Sequence, residues 1–163
     1  MCYYTRLVQG KPVSASYSDY TELALPNDAN SLGNLLGGKV MHLVDLAGAM
    51  AAMRHSRHVV VTASVDQMHF IHPVKIGQWV RLRSAVNRVF RTSMEVGVKV
   101  WVEDLVKGEV LHTSSAYLTF VALDSNGNPV AVPPVIPETE IEIQRYEAAG
   151  LRRDYRLSMR KRS

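Results

Sequence analysis

The chain has 163 residues, room for one domain around one apolar core, and its 47% hydrophobic and 21% charged content excludes a disordered polymer. No charge-free apolar run approaches the ~18 residues of a membrane span, and the opening Met-Cys-Tyr-Tyr-Thr-Arg has no basic-then-apolar secretory pattern. The lone cysteine, Cys2, excludes an intrachain disulfide, and the net charge of +4 is concentrated at the C-terminal end, so a cytoplasmic protein with a nearly neutral body is expected.

Residues 13–25 (VSASYSDYTELAL) carry apolar side chains at even steps and predict an extended segment. Residues 26–34, rich in Pro, Asn, Asp, Ser and Gly, predict an ordered loop that Gly37-Gly38 ends. A helix is predicted from Lys39 to His55. It is apolar nearly all round, with a run of small residues from Ala47 to Ala52, and belongs in the centre of the molecule. Four strands follow, at 59–68, 79–90, 93–103 and 109–123. In the third, Met94, Val96, Val98, Val100 and Val102 alternate with Glu95, Lys99, Trp101 and Glu103. Short links predict antiparallel hairpins. A last helix is predicted over 138–149, after Pro133-Pro134 and Pro137, and residues 151–163 read as a solvated, mobile basic tail on a single domain of residues 1–150.

One buried helix on one antiparallel sheet is a two-layer α+β fold. A single helix covers only one face of such a sheet, so the other, bearing Trp79, Trp101 and Tyr117, is expected to meet another subunit. The chain has no zinc-finger spacing, helix-turn-helix or aromatic RNA-binding stretch, so no nucleic-acid partner is expected.

Asp45 is the most informative residue. It is the only acid between Asp28 and Asp66 and sits in the middle of the apolar helix. A carboxylate in dry surroundings has a raised pKa, which suits a general base or acid; pairing with His42 is the structural alternative. Gly37 and Gly38, directly before the helix, leave its first N–H groups open to an oxyanion, or simply make a tight turn. Asn30 and Asn34 are placed to orient a water or carbonyl, although asparagine also belongs in turns. His55/His58 and His69/His72 lack acidic or cysteine partners at ligand spacing, so no metal is expected. No Gly-x-Ser-x-Gly elbow or phosphate-binding Gly-Lys-Ser/Thr loop is present. Met41, Met50 and Met53 fall at core spacing.

The run from Leu25 to Asn34, then Gly37-Gly38, then Val44-Asp45-Leu46-Ala47-Gly48 resembles the motif of hotdog-fold acyl-CoA thioesterases of the brain acyl-CoA hydrolase type and its single-domain bacterial relatives. The likeness continues through residues 61–66, 70–77, 91–96 and 112–123. It implies a long helix wrapped by a curved antiparallel sheet, dimers with a continuous sheet and hexamers built from three of them. It implies hydrolysis of acyl-CoA without a cofactor. Asp45 and Asn30 would come from opposite subunits, and the Gly37 and Gly38 amides would bind the thioester carbonyl. Leu36 departs from the pattern, where relatives often have His or an aromatic residue. For the phosphates of coenzyme A the candidates are Arg88, Arg91, Thr92 and Ser93, with Lys75 and the C-terminal arginines behind them. A non-hydrolytic acyl-CoA sensor is the main rival, and a hydratase using Asp45 with His42 a second.

Overall fold

A computed structural model describes residues 9–66 and 68–160; Cys2, and Lys161 and Arg162 of the predicted tail, lie outside them. The elements are β1 (Lys11–Pro12), β2 (Ser18–Leu23), α1 (Gly37–Ser56), β3 (Val59–Val65), β4 (Trp79–Phe90), β5 (Ser93–Asp104), β6 (Glu109–Leu123), β7 (Val135–Ile136) and α2 (Glu140–Arg160). Five strands form an antiparallel sheet in the order β2-β4-β5-β6-β3, and the two-residue β1 and β7 pair in parallel beside it.

Helix α1 packs against all five strands of the sheet. Its small residues make this possible: Ala47, Ala51 and Ala52 are fully buried, and a Cβ on Gly48 would stand 2.9 Å from the Phe120 ring. The alternation of β5 points Met94, Val96, Val98, Val100 and Val102 inward, all at most 3% exposed, as predicted. Arg57 closes the helix in the left-handed region at φ 60°, its N–H donating to the Met53 carbonyl.

Three differences from the sequence expectation have local causes. The extended segment begins with a 3-10 turn, Val13–Ser16, because the buried Ser16 hydroxyl donates to Val13 O and accepts the Val86 N–H. Strand β3 stops at Val65, three residues before its predicted end. Helix α2 starts two residues later than predicted and runs eleven residues further. Its start is a capping box: Thr139 Oγ1 accepts the Glu142 N–H, and Glu142 Oε2 accepts the Thr139 N–H.

The extension of α2 changes the outer face of the sheet. The segment expected to be mobile is helical to Arg160 and held by ion pairs, Arg152 to Glu95 at 2.6 Å and Arg156 to Asp66 at 3.1 Å. Glu95, 1% exposed, also accepts from Asn87 Nδ2, and Arg152 lies 3.6 Å from the Tyr117 ring centroid. Part of the face expected to await another subunit is therefore covered by the chain's own helix. Neither helix is long and apolar enough to cross a membrane.

Candidate functional site

Asp45 is half-buried on α1, and its Oδ1 accepts a 2.6 Å hydrogen bond from the Thr62 hydroxyl. Thr62 belongs to β3, one of the two edge strands, at a bulge where its pairing with β6 shifts register before Ser64. The carboxylate is thus at the open margin of the sheet rather than enclosed by its own chain, which corrects the expectation of dry surroundings. No hydrogen bond joins it to His42 among the described residues. Thr62 is a candidate that the sequence analysis did not single out. Its signal is slight, a single threonine inside the apolar run Val59–Val65.

The loop carrying Asn30 is built by backbone pairing. Leu35 N–H donates to Val74 O at 2.7 Å, Leu36 N–H to Asp28 O at 2.8 Å, and Gly33 turns at φ 74°. Asn30 Oδ1 accepts the Leu32 and Asn34 N–H groups, so the side-chain carbonyl is committed to the loop, and the Asn30 amide nitrogen has no partner among the described residues. Lys39 bonds Glu22 at 2.8 Å and Asp28 at 3.2 Å, tying the loop to the start of α1; its hydrogen bond, with that of Tyr20, holds the Glu22 carboxyl below its ordinary pKa.

Leu36, at the N-cap, provides no side-chain hydrogen bond. The first intrahelical donors are Lys39 and Val40, to Leu36 O, which leaves the Gly37 and Gly38 N–H groups uncommitted among the described residues. Both glycines are exposed, with open space around a Cβ at Gly38 and only the Phe70 ring, at 3.5 Å, near one at Gly37. Two unpaired amides at the positive end of a 20-residue helix have the chemistry to accept an oxyanion.

Asp45 and these amides are not brought together within one chain. Eight residues of helix separate Gly37 from Asp45, about 12 Å along the axis at 1.5 Å per residue. Two clefts, of about 510 and 840 Å³, lie on the outer face and contain neither Asp45, Asn30 nor the glycines. Large apolar side chains are exposed along this margin: Val59, Val61 and Val65 of β3, Met41 and Leu46 of α1, and Phe70.

Arg88, Arg91, Thr92 and Ser93 lie at the end of β4 and the start of β5, with Arg91 in the left-handed region at φ 56°. His55 is buried, its Nε2 2.8 Å from Pro133 O, and no three metal-ligating side chains converge among the described residues.

The family model of the thioesterase superfamily matches residues 32–119, from the Asn30 loop through α1 to β6. The chain belongs to that superfamily. It is 43% identical to a Bacillus subtilis protein named as an uncharacterized acyl-CoA thioester hydrolase, over 88% of this chain and 83% of that one. A solved apo-hexameric acyl-CoA thioesterase superposes with a TM-score of 0.89 at 41% identity, covering 93% of this chain and 97% of the other. The acyl-CoA hydrolase of Staphylococcus aureus superposes at 0.86 and 34% identity, covering 93% of each chain, in complexes with butyryl coenzyme A, coenzyme A and coenzyme A disulfide. That hydrolase has also been solved with an aspartate, an asparagine or a threonine replaced by alanine. The architecture of this thioesterase is the hotdog fold, with α1 as the wrapped helix.

Proposed function

We propose that this thioesterase hydrolyses acyl-CoA to a carboxylic acid and coenzyme A at sites shared between two copies of the chain. The carrying observation is the Asp45 carboxylate, oriented by Thr62 at the open sheet edge, with unfilled helix amides two turns away at Gly37 and Gly38. The residues replaced in the Staphylococcus aureus hydrolase stand 15 and 17 positions apart, the separations of Asn30, Asp45 and Thr62 here.

A reacting carbonyl needs base and oxyanion donors both within ~3 Å, which a ~12 Å separation on one helix forbids. A second copy, pairing β3 to β3 across the apolar edge, would bring Asp45 of one chain to the loop and glycines of the other. Three such dimers would make a hexamer, the state of the solved relative.

In this reading Asp45 takes a proton from water as the water oxygen bonds to the thioester carbon. The carbonyl oxygen gains charge and is held by the Gly37 and Gly38 amides, with the Asn30 amide orienting the water or the carbonyl. The carbon–sulfur bond then breaks, and the proton passes from Asp45 to the departing thiolate. No metal or cofactor enters. If Asp45 instead attacks the carbon directly, coenzyme A leaves as the thiol and a mixed anhydride forms, and water opening it at the Asp45 carbonyl leaves one solvent oxygen in the carboxylate; single turnover in oxygen-18 water, followed by mass spectrometry of the protein, detects that route.

The decisive test is thiol release across a chain-length panel of acyl-CoAs, with Asp45→Ala as control. Release by the wild type and its loss in the variant supports the reading. Binding of acyl-CoA without thiol release would replace it with the sensor function.

A further inference from the structure

Resting on the acyl-CoA reading, we propose that helix α2 completes the receptor for the phosphate-bearing end of the substrate, with Arg153 as an additional phosphate-binding residue beside Arg88 and Arg91, and with Gly150 as the notch that seats Arg88.

The geometry comes from one aromatic ring. Arg88 lies 5.4 Å from the Phe90 centroid and 4.3 Å from that of Tyr146, and Arg153 approaches the same Phe90 ring at 4.7 Å. Arg91 follows Phe90 directly, exposed at the turn. Three guanidinium-bearing residues therefore gather where β4 turns into β5, two of them stacked on aromatic rings that fix their position.

None of the three has a carboxylate partner among the described residues, whereas Arg81, Arg83, Arg152 and Arg156 each have one. Arg88 faces Glu95 across the strand pair, but that carboxylate is engaged by Arg152 and Asn87. Along α2, the positions one turn either side of Arg153 are Ala149, Gly150, Arg156 and Leu157, none of them acidic. Like charges gathered without a counter-ion repel one another, and a phosphate group relieves that repulsion while accepting several N–H bonds.

Gly150 is the second observation. It lies inside α2, where glycine costs helix stability and no positive φ calls for it. A Cβ there would stand 2.4 Å from Arg88 Nη1 and 3.2 Å from its Cζ. The missing side chain is the space that the Arg88 guanidinium occupies, its Nη1 donating to Tyr146 O at 3.3 Å.

The test compares S-acyl-CoA with the same acyl group on pantetheine, which lacks the nucleotide and its phosphates. Arg153→Gln is expected to raise KM for acyl-CoA about tenfold with kcat within a factor of two, and to leave acyl-pantetheine hydrolysis unchanged. Gly150→Ala, which favours the helix, is expected to raise KM for acyl-CoA in the same direction by displacing Arg88. Titration calorimetry with coenzyme A should show both variants binding more weakly. Equal effects on both substrates, or undiminished coenzyme A binding, would overturn the proposal. A wild type that binds coenzyme A through Arg153 but releases no thiol would sink the hydrolase reading and leave the phosphate receptor standing.

Discussion

The two faces of the sheet are covered by helices of opposite character. On the inner face α1 presents Val40, Leu43, Val44, Ala47 and Ala51 to β4, β5 and β6, an interface made by close apolar fit. On the outer face α2 is attached largely through arginines, to Glu95, Asp66, Tyr117 and Phe90. The inner contact tolerates almost no change of volume. The outer one depends on pairing charges, and a broken pair leaves a buried ion behind. The difference separates two jobs. The inner packing holds Asp45 and the α1 amides at fixed positions, and the outer packing decides where the basic groups around the β4–β5 turn stand.

The sharpest way to break that division is at the inner helix. Asp45→Asn keeps the shape of the side chain and is expected to lower turnover by about 10³-fold, in the range for loss of a general base, with the oligomer unchanged by light scattering. Loss of assembly together with activity would show Asp45 to be structural.

On the outer face, Glu95→Ala strands Arg152 and is expected to cost about 3 kcal/mol in denaturant unfolding. Replacing both residues by methionine should recover most of that loss, because the unpaired charge goes with its partner. If Glu95→Ala leaves stability unchanged, α2 is not held by this pair.

Gly48→Ala tests the inner fit, since the added methyl meets Phe120 at 2.9 Å. A destabilisation of about 1–3 kcal/mol is expected by thermal unfolding, with thiol release per folded molecule retained. A neutral result would show that Phe120 yields.

The smallest effect is at the end of α1. Burial pushes the His55 pKa below its ordinary 6.5, assisted by nearby Lys11 and opposed by the bond to Pro133 O. The folded state therefore keeps His55 neutral where the unfolded chain takes up a proton. Its contribution is fully present above pH 6.5 and is lost as pH falls below that, at up to about 1.4 kcal/mol per pH unit. His55→Gln should flatten that part of the stability profile measured by denaturant titration.

Much of the fold was legible because alternation and all-round hydrophobicity are local signals. The observed limits of β4 and β6 coincide with the predicted ones, and α1 begins only two residues before its predicted start. Asp45 stood out for the same reason, as an acid where the surrounding pattern is apolar. The long-range terms were not legible. Residues 151–160 present a run of arginines to any sequence window, and their helix is held in place by Glu95 on β5 and by Asp66 just past the end of β3, both far away in the chain. Thr62 gains its role from Asp45, 17 residues away and on another element.

By itself the order of residues determined the apolar stripes, the turn-rich loop before the helix and the isolated carboxylate within it, since each depends on neighbours a few positions apart. Tertiary structure alone decided that Asp45 lies at an open sheet edge beside Thr62, and that Arg88 and Arg153 share the ring of Phe90. Those placements depend on strand order and on which distant charges meet, which no short stretch of chain contains.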